Sequence, residues 1–302
     1  MKFIKIVFNP VSGRGAAEDR VNHVAHILLD RGYTVNKYAT KAQGDGRREA
    51  KDSCDGTWDL IIAAGGDGTI NEVASGIYES GKKTPMAILH EGTMNDIAKH
   101  LNISNDPVDF CNMVDGFQLK SIDLGKSNDR YFLNVVAGGM ITSVAHRTPV
   151  ELKHMFGRVA YYLEVIKELT SSGLRAYKLK IAYDDIIDEG RFNLFIISNS
   201  PTIGGFEQLM PLAQMQDGLL DCFFIREAES IQEAAELFLS VLKGEHINHK
   251  KVLYFRTSKV EITSDDHNGI ELDFDGEYAG QLPVLIEIIP SAIDILVELG
   301  EK

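Results

Sequence analysis

The fold prediction starts from residues 63–77, which read AAGGDGTINEVASGI. The apolar run at residues 58–63, just before the glycines, is typical of a buried strand. After the glycines, apolar side chains recur at the spacing of one helix face, at Ile70, Val73, Ala74, Ile77 and Tyr78. The glycine-rich segment between the two patterns is therefore predicted to be a turn from a strand into a helix.

This turn has the composition of a phosphate-binding loop. Gly65, Gly66 and Gly68 have no side chains, so their backbone N–H groups can face an anion directly. Asp67 would repel a phosphate unless a cation lay between them, so a nucleotide phosphate with Mg²⁺ near Asp67 is the economical interpretation. The alternative is a tight turn in which Asp67 and Thr69 cap the helix and no ligand binds.

Strand and helix patterns alternate along residues 1–120. The predicted strands cover residues 3–8, 33–39, 58–63 and 85–89. Helical patterns follow them at residues 17–30, in a polar segment before residue 58, and at residues 70–80. This order predicts an α/β domain with a parallel sheet, helices on both faces and ligands at the carboxyl ends of the strands.

Three polar loops leave those strand ends: NPVSGRG (9–15), AAGGDGT (63–69) and HEGTMND (90–96). All three are rich in Gly, Ser, Thr, Asn and Asp, which present small side chains, hydroxyls and bare backbone to a ligand. Their recurrence at equivalent strand ends favours a binding site over isolated turns.

After about residue 125 the apolar pattern changes to a period of two, which is typical of half-buried strands. The runs are residues 131–136, 177–187, 192–198, 219–225, 252–263, 270–274 and 284–289. Helical patterns interrupt them at residues 151–170 and 230–243. We predict an antiparallel β domain over residues 126–289, and the apolar segment 292–299 returns to pack on another element.

The composition excludes several classes of function. Among 302 residues, 44 are acidic and 31 basic, so the formal net charge of -13 argues against a nucleic-acid partner. The three cysteines are far apart, which favours buried thiols in a reducing cytosol over disulfides or a zinc site. No segment has the length of a signal peptide or a membrane span, so we expect a cytoplasmic protein.

The common nucleotide-site and nucleophile motifs are absent, including the Walker sequence, the dinucleotide pattern, the protein-kinase signatures and GxSxG. Instead, six motifs occur in order: NPVSGRG, GGDGTINEV, EGTMNDIAKHL, the aspartate of SIDLGK, QDGLLD and FDGEYAG. Together they resemble the diacylglycerol kinase catalytic family of soluble bacterial lipid kinases, relatives of the sphingosine kinases, over nearly the whole chain. GGDGT alone would not be specific, because NAD kinases and phosphofructokinases are similar there.

The resemblance implies a nucleotide-binding α/β domain over residues 1–125, rejoined by residues 290–302, and a β-sandwich lipid-kinase domain over residues 126–289, with ATP held between them. Carried over by motif, the nucleotide-binding residues are Asn9, Ser12, Gly13, Thr40, Gly66, Asp67, Gly68, Thr69, Asn71, Glu72 and Thr93. Taken alone, Ser12 and Thr40 are more often caps or turn residues.

Four carboxylates carry the implied chemistry. By resemblance, Glu277 in FDGEYAG is the base that takes the proton of the lipid hydroxyl. Without the other motifs, we would favour a β-hairpin with Asp275 and Gly276 as its turn. Asp67, Asp96 and Asp123 resemble the acidic network that the family places around Mg²⁺ and the domain junction, although an isolated Asp96 would more often be a helix cap.

A second, structural Mg²⁺ is implied at QMQDGLLD, with the Asp217 carboxylate and the carbonyl groups of Gln214 and Leu219 as ligands. An Asp-Gly turn without metal is the alternative. The chain also departs from the family pattern: Lys99 stands where an arginine is common, and His90 and Glu91 precede the glycine of EGTMND where smaller or apolar residues are usual.

The leading interpretation is an ATP-dependent diacylglycerol kinase that forms phosphatidic acid and contacts the membrane surface transiently. The basic and apolar stretch at residues 146–163 is the candidate interfacial surface, with an ordinary core helix as its alternative. Phosphatidylglycerol, a sphingoid base or a prenol are alternative lipid acceptors for the same chemistry. An NAD kinase is the alternative from a neighbouring enzyme class. A non-catalytic, nucleotide-gated lipid-binding protein is the alternative from a different class of function. The resemblance also implies homodimerisation.

Overall fold

The computed structural model describes residues 2–15, 17–92, 94–140, 175–204, 209–266 and 269–298. The chain divides into two compact units, the first formed by Met1–Leu124 with Pro290–Lys302 and the second by Gly125–Ile289. Thr93, the predicted helix at 151–170 and the predicted interfacial surface at 146–163 lie outside the described residues. Among the helices within those ranges, none is long and apolar enough to cross a membrane.

The first unit is a parallel sheet with helices. Its strands are β1 (Phe3–Phe8), β2 (Thr34–Ala39), β3 (Leu60–Gly65) and β4 (Met86–His90). They lie in the order β4–β3–β1–β2, and each neighbouring pair is parallel. The helices are α1 (Ala17–Asp30), α2 (Asp45–Ser53), α3 (Asp67–Glu79), α4 (Asp96–His100) and α5 (Pro107–Gly116). The predicted parallel α/β architecture is therefore confirmed.

Burial explains why the central strands read as continuous apolar runs. Every residue of β3 is buried, as are the last five residues of β1, because parallel strands covered on both faces have no solvent side. The helices α2 and α3 approach each other closely at Gly76, where a Cβ atom would lie 2.1 Å from the carbonyl oxygen of Arg47. A side chain at Gly76 would push the two helices apart, so glycine is required there.

The second unit is built from antiparallel strands. Its elements in chain order are β5 (Gln118–Ser127, which begins in the first unit), β6 (Arg130–Phe132), β7 (Val135–Gly139), β8 (Tyr177–Tyr183), β9 (Ile186–Ser198), β10 (Leu220–Arg226), α6 (Ile231–Lys243), β11 (Val252–Thr257), β12 (Lys259–Ser264), β13 (Glu271–Phe274), β14 (Glu277–Gln281) and β15 (Val284–Val297, which ends in the first unit). The strand order is β14–β13–β7–β9–β8–β12–β15, and β10 pairs with both β9 and β11. Within the first unit, β15 lies parallel to β4, with Ile295 opposite Met86.

Two clusters of buried apolar side chains fill the second unit. The larger one takes buried residues from β6 to β10, β12, β13 and β15, and Phe192 meets Phe224 edge to face with ring centroids 5.6 Å apart. The smaller one joins Phe223 of β10 to Val241 of α6. Each fully buried aromatic or aliphatic side chain contributes about 1.5–3 kcal/mol relative to solvent, so these clusters hold the strands together.

The structure corrects the predicted strand limits at several places. The runs 177–187 and 252–263 are each two strands and not one. In the first case, Asp184 adopts a positive φ of 48° and turns the chain back as a hairpin. In the second, β11 pairs with β10, whereas β12 pairs with β8 and β15, so the chain changes partners at Ser258. The run 131–136 likewise splits into β6 and β7.

Candidate active site

Three loops of the first unit meet at one edge of its sheet. Because β1, β3 and β4 are adjacent and parallel, their carboxyl ends share an edge, as the sequence predicts. Backbone hydrogen bonds join each loop to the neighbouring strand: the Asn9 N–H donates to the Ala64 carbonyl over 3.0 Å, and the Glu91 N–H donates to the Gly65 carbonyl over 2.7 Å. Thr40, which follows β2, lies at the same edge and donates its N–H to the Phe8 carbonyl over 2.8 Å.

Two of the glycines at this edge are needed because backbones approach closely. A Cβ atom on Gly92 would lie 3.0 Å from the Cα atom of Gly66, so any side chain would separate the loops after β3 and β4. Gly13, in the short 3₁₀ turn Ser12–Gly15, has a φ of 58°, and its Cβ would lie 3.2 Å from the Glu91 carbonyl oxygen. The edge is therefore lined largely by backbone.

The helix α3 begins without a side-chain cap. Gly66 is its N-cap residue, so neither Asp67 nor Thr69 occupies the position that the turn-only interpretation gave them. An uncapped helix N-terminus presents backbone N–H groups and the positive end of the helix dipole, both of which favour an anion. The start of α3 can thus bind a phosphate group.

Asp67 has an unusual environment for a carboxylate at this position. One oxygen accepts a hydrogen bond from the Asn95 N–H over 3.2 Å, while the other, Oδ1, is buried and has no hydrogen-bond partner among the described residues. Burial raises the pKa of Asp67 above its ordinary value, and the Asn95 N–H and the Lys99 charge oppose that rise. A buried carboxylate oxygen without a donor fits a cation, which would compensate its lost solvation.

Asp96 and Asp123 are both buried in the first unit. Asp96 is the first residue of α4, and Asp123 on β5 accepts a hydrogen bond from the Ser291 N–H over 2.8 Å. Within the ranges that the structure describes, no group of three or more His, Cys, Asp or Glu side chains is close enough to hold a metal ion. The structure therefore does not gather Asp67, Asp96 and Asp123 into a three-ligand cluster.

The other predicted nucleotide-binding residues have mixed surroundings. The Ser12 N–H donates to the Asn9 carbonyl over 3.2 Å, so a backbone hydrogen bond closes the turn after β1. Gly68, Thr69 and Asn71 lie in the first turns of α3. Glu72, in contrast, accepts the N–H groups of Gly44 and Gly46 over 2.6 and 2.9 Å, so its carboxylate joins α3 to the start of α2.

His90 and Glu91, the two residues before Gly92 that depart from the family pattern, both contact residues outside their own loop. Glu91 is buried and pairs with Arg20 of α1, with 2.9 Å between Nε and Oε1. Burial raises the pKa of Glu91, and the Arg20 charge opposes the rise. Burial also lowers the pKa of His90, whose Nε2 lies 3.2 Å from the Ile103 carbonyl oxygen. Arg20 carried no motif signal, so sequence reasoning missed this pair.

In the second unit, Glu277 begins β14 and is exposed. It lies opposite Phe274 across a two-residue hairpin turn formed by Asp275 and Gly276, whose φ angles are 50° and 90°. Positive φ at both turn residues matches the tight hairpin that the sequence offers as the alternative. The hairpin and the proposed base role are compatible, since the hairpin determines where the Glu277 backbone lies.

Asp275 is the residue that sequence reasoning missed in this motif. Its carboxylate accepts backbone N–H groups of Leu133, Asn134 and Val135 over 2.9, 3.1 and 2.7 Å, and its own N–H donates to the Val135 carbonyl over 3.0 Å. The Gly276 N–H donates in turn to the Asp273 carboxylate over 2.7 Å. These bonds fix the backbone of the turn that immediately precedes Glu277.

The predicted ligands of a structural metal lie just before β10. Asp217 accepts the Leu219 N–H over 3.1 Å with one oxygen, and its other oxygen forms a hydrogen-bonded ion pair with Arg256. Gln214 is exposed. Asp221, fully buried on β10, accepts the Tyr254 hydroxyl, and burial raises the pKa of Asp221.

Comparison with known proteins identifies the class. The family model described as the diacylglycerol kinase catalytic domain matches residues 4–127, and the one described as the YegS C-terminal NAD kinase beta sandwich-like domain matches residues 134–297. These two matches place the chain among kinases that combine a catalytic α/β domain with a β-sandwich. The predicted β-sandwich fold of the second part is thereby confirmed.

Curated relatives narrow the class to a family. The chain is 35% identical to the diacylglycerol kinase of Staphylococcus haemolyticus over 93% of this chain and 84% of that protein. It is 34% identical to the diacylglycerol kinase of Bacillus subtilis, over 94% of this chain and 92% of that protein. The chain belongs to the diacylglycerol kinase family, as its six motifs predict.

Solved structures agree on the fold. A diacylglycerol kinase from Bacillus anthracis superposes with a TM-score of 0.79 at 24% identity, over 98% of this chain and 97% of that one. Another chain from the same organism gives a TM-score of 0.84 over 98% and 95% of the two chains. At this identity the likeness shows the architecture alone.

Proposed function

We propose that this protein transfers the γ-phosphoryl group of ATP to the free hydroxyl of diacylglycerol and so forms phosphatidic acid. The observation that carries the proposal is the similarity to curated diacylglycerol kinases along 93% of the chain. The uncapped, glycine-rich start of α3 supports its nucleotide half, because it offers donors to a phosphate. A lipid acceptor also requires transient contact with a membrane surface.

The first unit serves as the nucleotide-binding domain in this proposal. Asn9, Ser12, Gly13 and the start of α3 lie along one edge of the sheet, after β1 and β3. There the Ser12 hydroxyl and the uncapped N–H groups of α3 can face the phosphates, whereas the N–H groups of Asn9 and Ser12 are already bonded to backbone carbonyls. Thr40 lies beside the first loop, and Thr93 belongs to the same set by sequence. Glu72 acts indirectly, by joining α2 to α3.

A divalent cation, which we take to be Mg²⁺, would bind with ATP at Asp67. The buried oxygen of Asp67 that has no donor among the described residues is the feature that fits it. The cation supplies charge neutralisation on the phosphates, which phosphoryl transfer needs because the reaction depends on positioning and electrostatics. Asp96 and Asp123 extend the acidic surroundings of the first unit without forming a three-ligand group with Asp67.

The second unit serves as the lipid-kinase domain and supplies the base. Glu277 is exposed at the start of β14, so its carboxylate is accessible to a substrate hydroxyl. The Asp275 carboxylate accepts three backbone N–H groups and so holds the turn that precedes Glu277. A fixed, accessible carboxylate can accept the hydroxyl proton as the oxygen bonds to the γ-phosphorus, while the bond from that phosphorus to the β–γ bridging oxygen breaks and ADP leaves. Homodimerisation belongs to the proposal on the family resemblance alone.

The test is transfer of labelled phosphate from ATP to dioleoylglycerol in mixed micelles containing Mg²⁺. We expect labelled phosphatidic acid from the wild type and nearly none from a folded Glu277→Gln variant. If diacylglycerol is not labelled, a total lipid extract replaces it. Transfer of label to phosphatidylglycerol, a sphingoid base or a prenol in that extract would then identify the acceptor. Absence of any labelled lipid there would contradict the kinase proposal and favour a lipid-binding protein.

A further inference from the structure

An arginine lies where the family resemblance places a structural Mg²⁺. The second unit pairs β10 with β11 in a register that sets Asp221 directly opposite Arg256. The Arg256 guanidinium forms an ion pair with Asp217, and its Nε lies 3.4 Å from Oδ1 of Asp221. One side chain thus contacts both the carboxylate predicted to bind the metal and a second carboxylate on the adjoining strand.

Asp221 needs a positive neighbour whether or not a metal binds. Its side chain is fully buried, and the Tyr254 hydroxyl that donates to it is neutral. Leaving a buried carboxylate without a counter-charge is strongly destabilising, so the charge of Arg256 is the compensation that β10 requires. Arginine suits this role because its guanidinium stays protonated and its planar fork can contact two carboxylates at once.

Asp217 is already engaged on both oxygens. Oδ1 accepts the Leu219 N–H over 3.1 Å, and Oδ2 is held by Arg256. The Arg256 and Asp217 side chains are 28% and 23% exposed, so solvent screens their interaction only in part. A divalent cation on this carboxylate would be placed beside a permanent positive charge, and the remaining predicted ligands, the carbonyls of Gln214 and Leu219, are neutral. Asp217 therefore has no free oxygen for Mg²⁺, and the buried oxygen of this cluster that has no hydrogen-bond partner among the described residues, Oδ2 of Asp221, belongs to a carboxylate that the Arg256 charge already faces.

We propose that Arg256 supplies, from within the chain, the positive charge that the resemblance assigns to a structural Mg²⁺. It joins Asp217, in the turn before β10, to Asp221 on β10, so this part of the second unit folds without metal. The inference does not depend on the proposed kinase activity, because the cluster lies apart in sequence from Asp67 and Glu277 and its test measures stability and metal content.

The experiment uses the full chain without nucleotide, in an Asp67→Asn background that removes the other proposed Mg²⁺ site. Thermal unfolding is followed in EDTA and in Mg²⁺ for this background and after adding Arg256→Met or Arg256→Lys. We expect the Asp67→Asn protein to unfold at the same temperature in both solutions. Arg256→Met should lower the midpoint in EDTA by about 5 °C or more and gain stability with Mg²⁺, while Arg256→Lys retains most of the stability.

Metal analysis after dialysis against Mg²⁺ tests whether Asp217 binds a metal ion, even if Arg256→Met fails to fold. We expect no bound Mg²⁺ that depends on Asp217, so the metal content of Asp67→Asn should not change on adding Asp217→Asn. A stoichiometric Mg²⁺ that Asp217→Asn removes would overturn the proposal. So would an Arg256→Met variant that is as stable as its parent in EDTA, because Arg256 would then carry no compensating role.

Discussion

The start of α3 in the first unit and the β13–β14 hairpin in the second each present a carboxylate, but in opposite ways. Asp67 is partly buried, and its buried oxygen Oδ1 has no donor within the described part of the chain. Glu277 is exposed, and its position is fixed by the hydrogen bonds of a neighbour, Asp275. A carboxylate that lacks a donor is suited to a cation, whereas an accessible one on a rigid turn is suited to proton transfer.

Replacing Asp67 should have the largest effect on activity. We expect Asp67→Asn to lower kcat by about a thousandfold or more, because charge neutralisation on the phosphates is a dominant part of phosphoryl transfer. The measurement is phosphate transfer to dioleoylglycerol at saturating ATP and Mg²⁺.

The same variant should not lose stability. Since burial raises the folded-state pKa of Asp67, its ionised form destabilises the fold at neutral pH, and an uncharged isostere removes that cost. Urea unfolding at neutral pH checks this point. If Asp67→Asn retained wild-type kcat, the contrast with Glu277 would have no catalytic meaning.

Glu277→Gln should follow, with kcat reduced by about a hundredfold to ten-thousandfold, the usual range for loss of a general base. Because the proposed role of Glu277 is to accept the proton of the lipid hydroxyl and not to bind the nucleotide, the affinity for Mg²⁺·ATP should stay close to that of the wild type. Isothermal titration with a non-hydrolysable ATP analogue measures the affinity. A large loss of affinity would assign Glu277 to nucleotide binding.

Asp275→Ala should give a smaller loss, roughly tenfold to a hundredfold in kcat with little change in the KM for ATP, because a misplaced base costs positioning. It should also reduce stability by about 1–3 kcal/mol, since three backbone N–H groups lose their acceptor. Initial rates at varied ATP and urea unfolding measure the two effects.

Asp184→Ala is the matched control for Asp275→Ala. Asp184 is also a hairpin aspartate with a positive φ, and it accepts the Thr257 hydroxyl over 2.9 Å, but it carries no neighbouring catalytic candidate. We expect it to lower stability and leave kcat unchanged. Equal losses of kcat in both variants would reduce Asp275 to a purely structural residue.

The smallest expected effect concerns Glu91, whose pKa burial raises. A raised folded-state pKa stabilises the protein below the unfolded value, and that contribution is lost as the pH rises through the folded one. Relative to Glu91→Gln, the wild type should therefore lose stability as the pH rises above the ordinary glutamate pKa of 4.5, and the loss should be small because the Arg20 charge opposes the shift. Urea unfolding across that range checks the sign, and a wild type that gains stability over it would contradict the prediction.

The two regions also differ in how far the sequence could predict them. The first unit was predictable because strand and helix patterns alternate along it, β3 is an uninterrupted apolar run and α1 keeps a regular apolar spacing. Both β1 and α1 have the predicted bounds. The starts of β3 and α3 were displaced by two or three residues, since β3 runs to Gly65 and Gly66 directly caps the next helix.

In the second unit, period-two patterns indicated strands but not where one strand becomes two. The adjacent charged residues Asp184 and Asp185 interrupt the apolar pattern, but the predicted run continued across them. Ser258 separates β11 and β12, which pair with different strands. The pairings Arg20–Glu91, Arg256–Asp217 and Asp275 with residues 133–135 join positions far apart in the chain. No local pattern encodes such contacts, although an aspartate before the glycine of a hairpin was a signal that Asp275 could anchor its turn.

The most direct test of the account is to measure Mg²⁺·ATP affinity and single-turnover transfer to diacylglycerol on the same preparations of wild type, Asp67→Asn and Glu277→Gln. The account predicts that the wild type forms phosphatidic acid, that Glu277→Gln binds Mg²⁺·ATP normally without transferring phosphate, and that Asp67→Asn loses the Mg²⁺-dependent part of nucleotide binding together with transfer. Transfer at the wild-type rate by Glu277→Gln, or Mg²⁺·ATP affinity unchanged in Asp67→Asn, would contradict it.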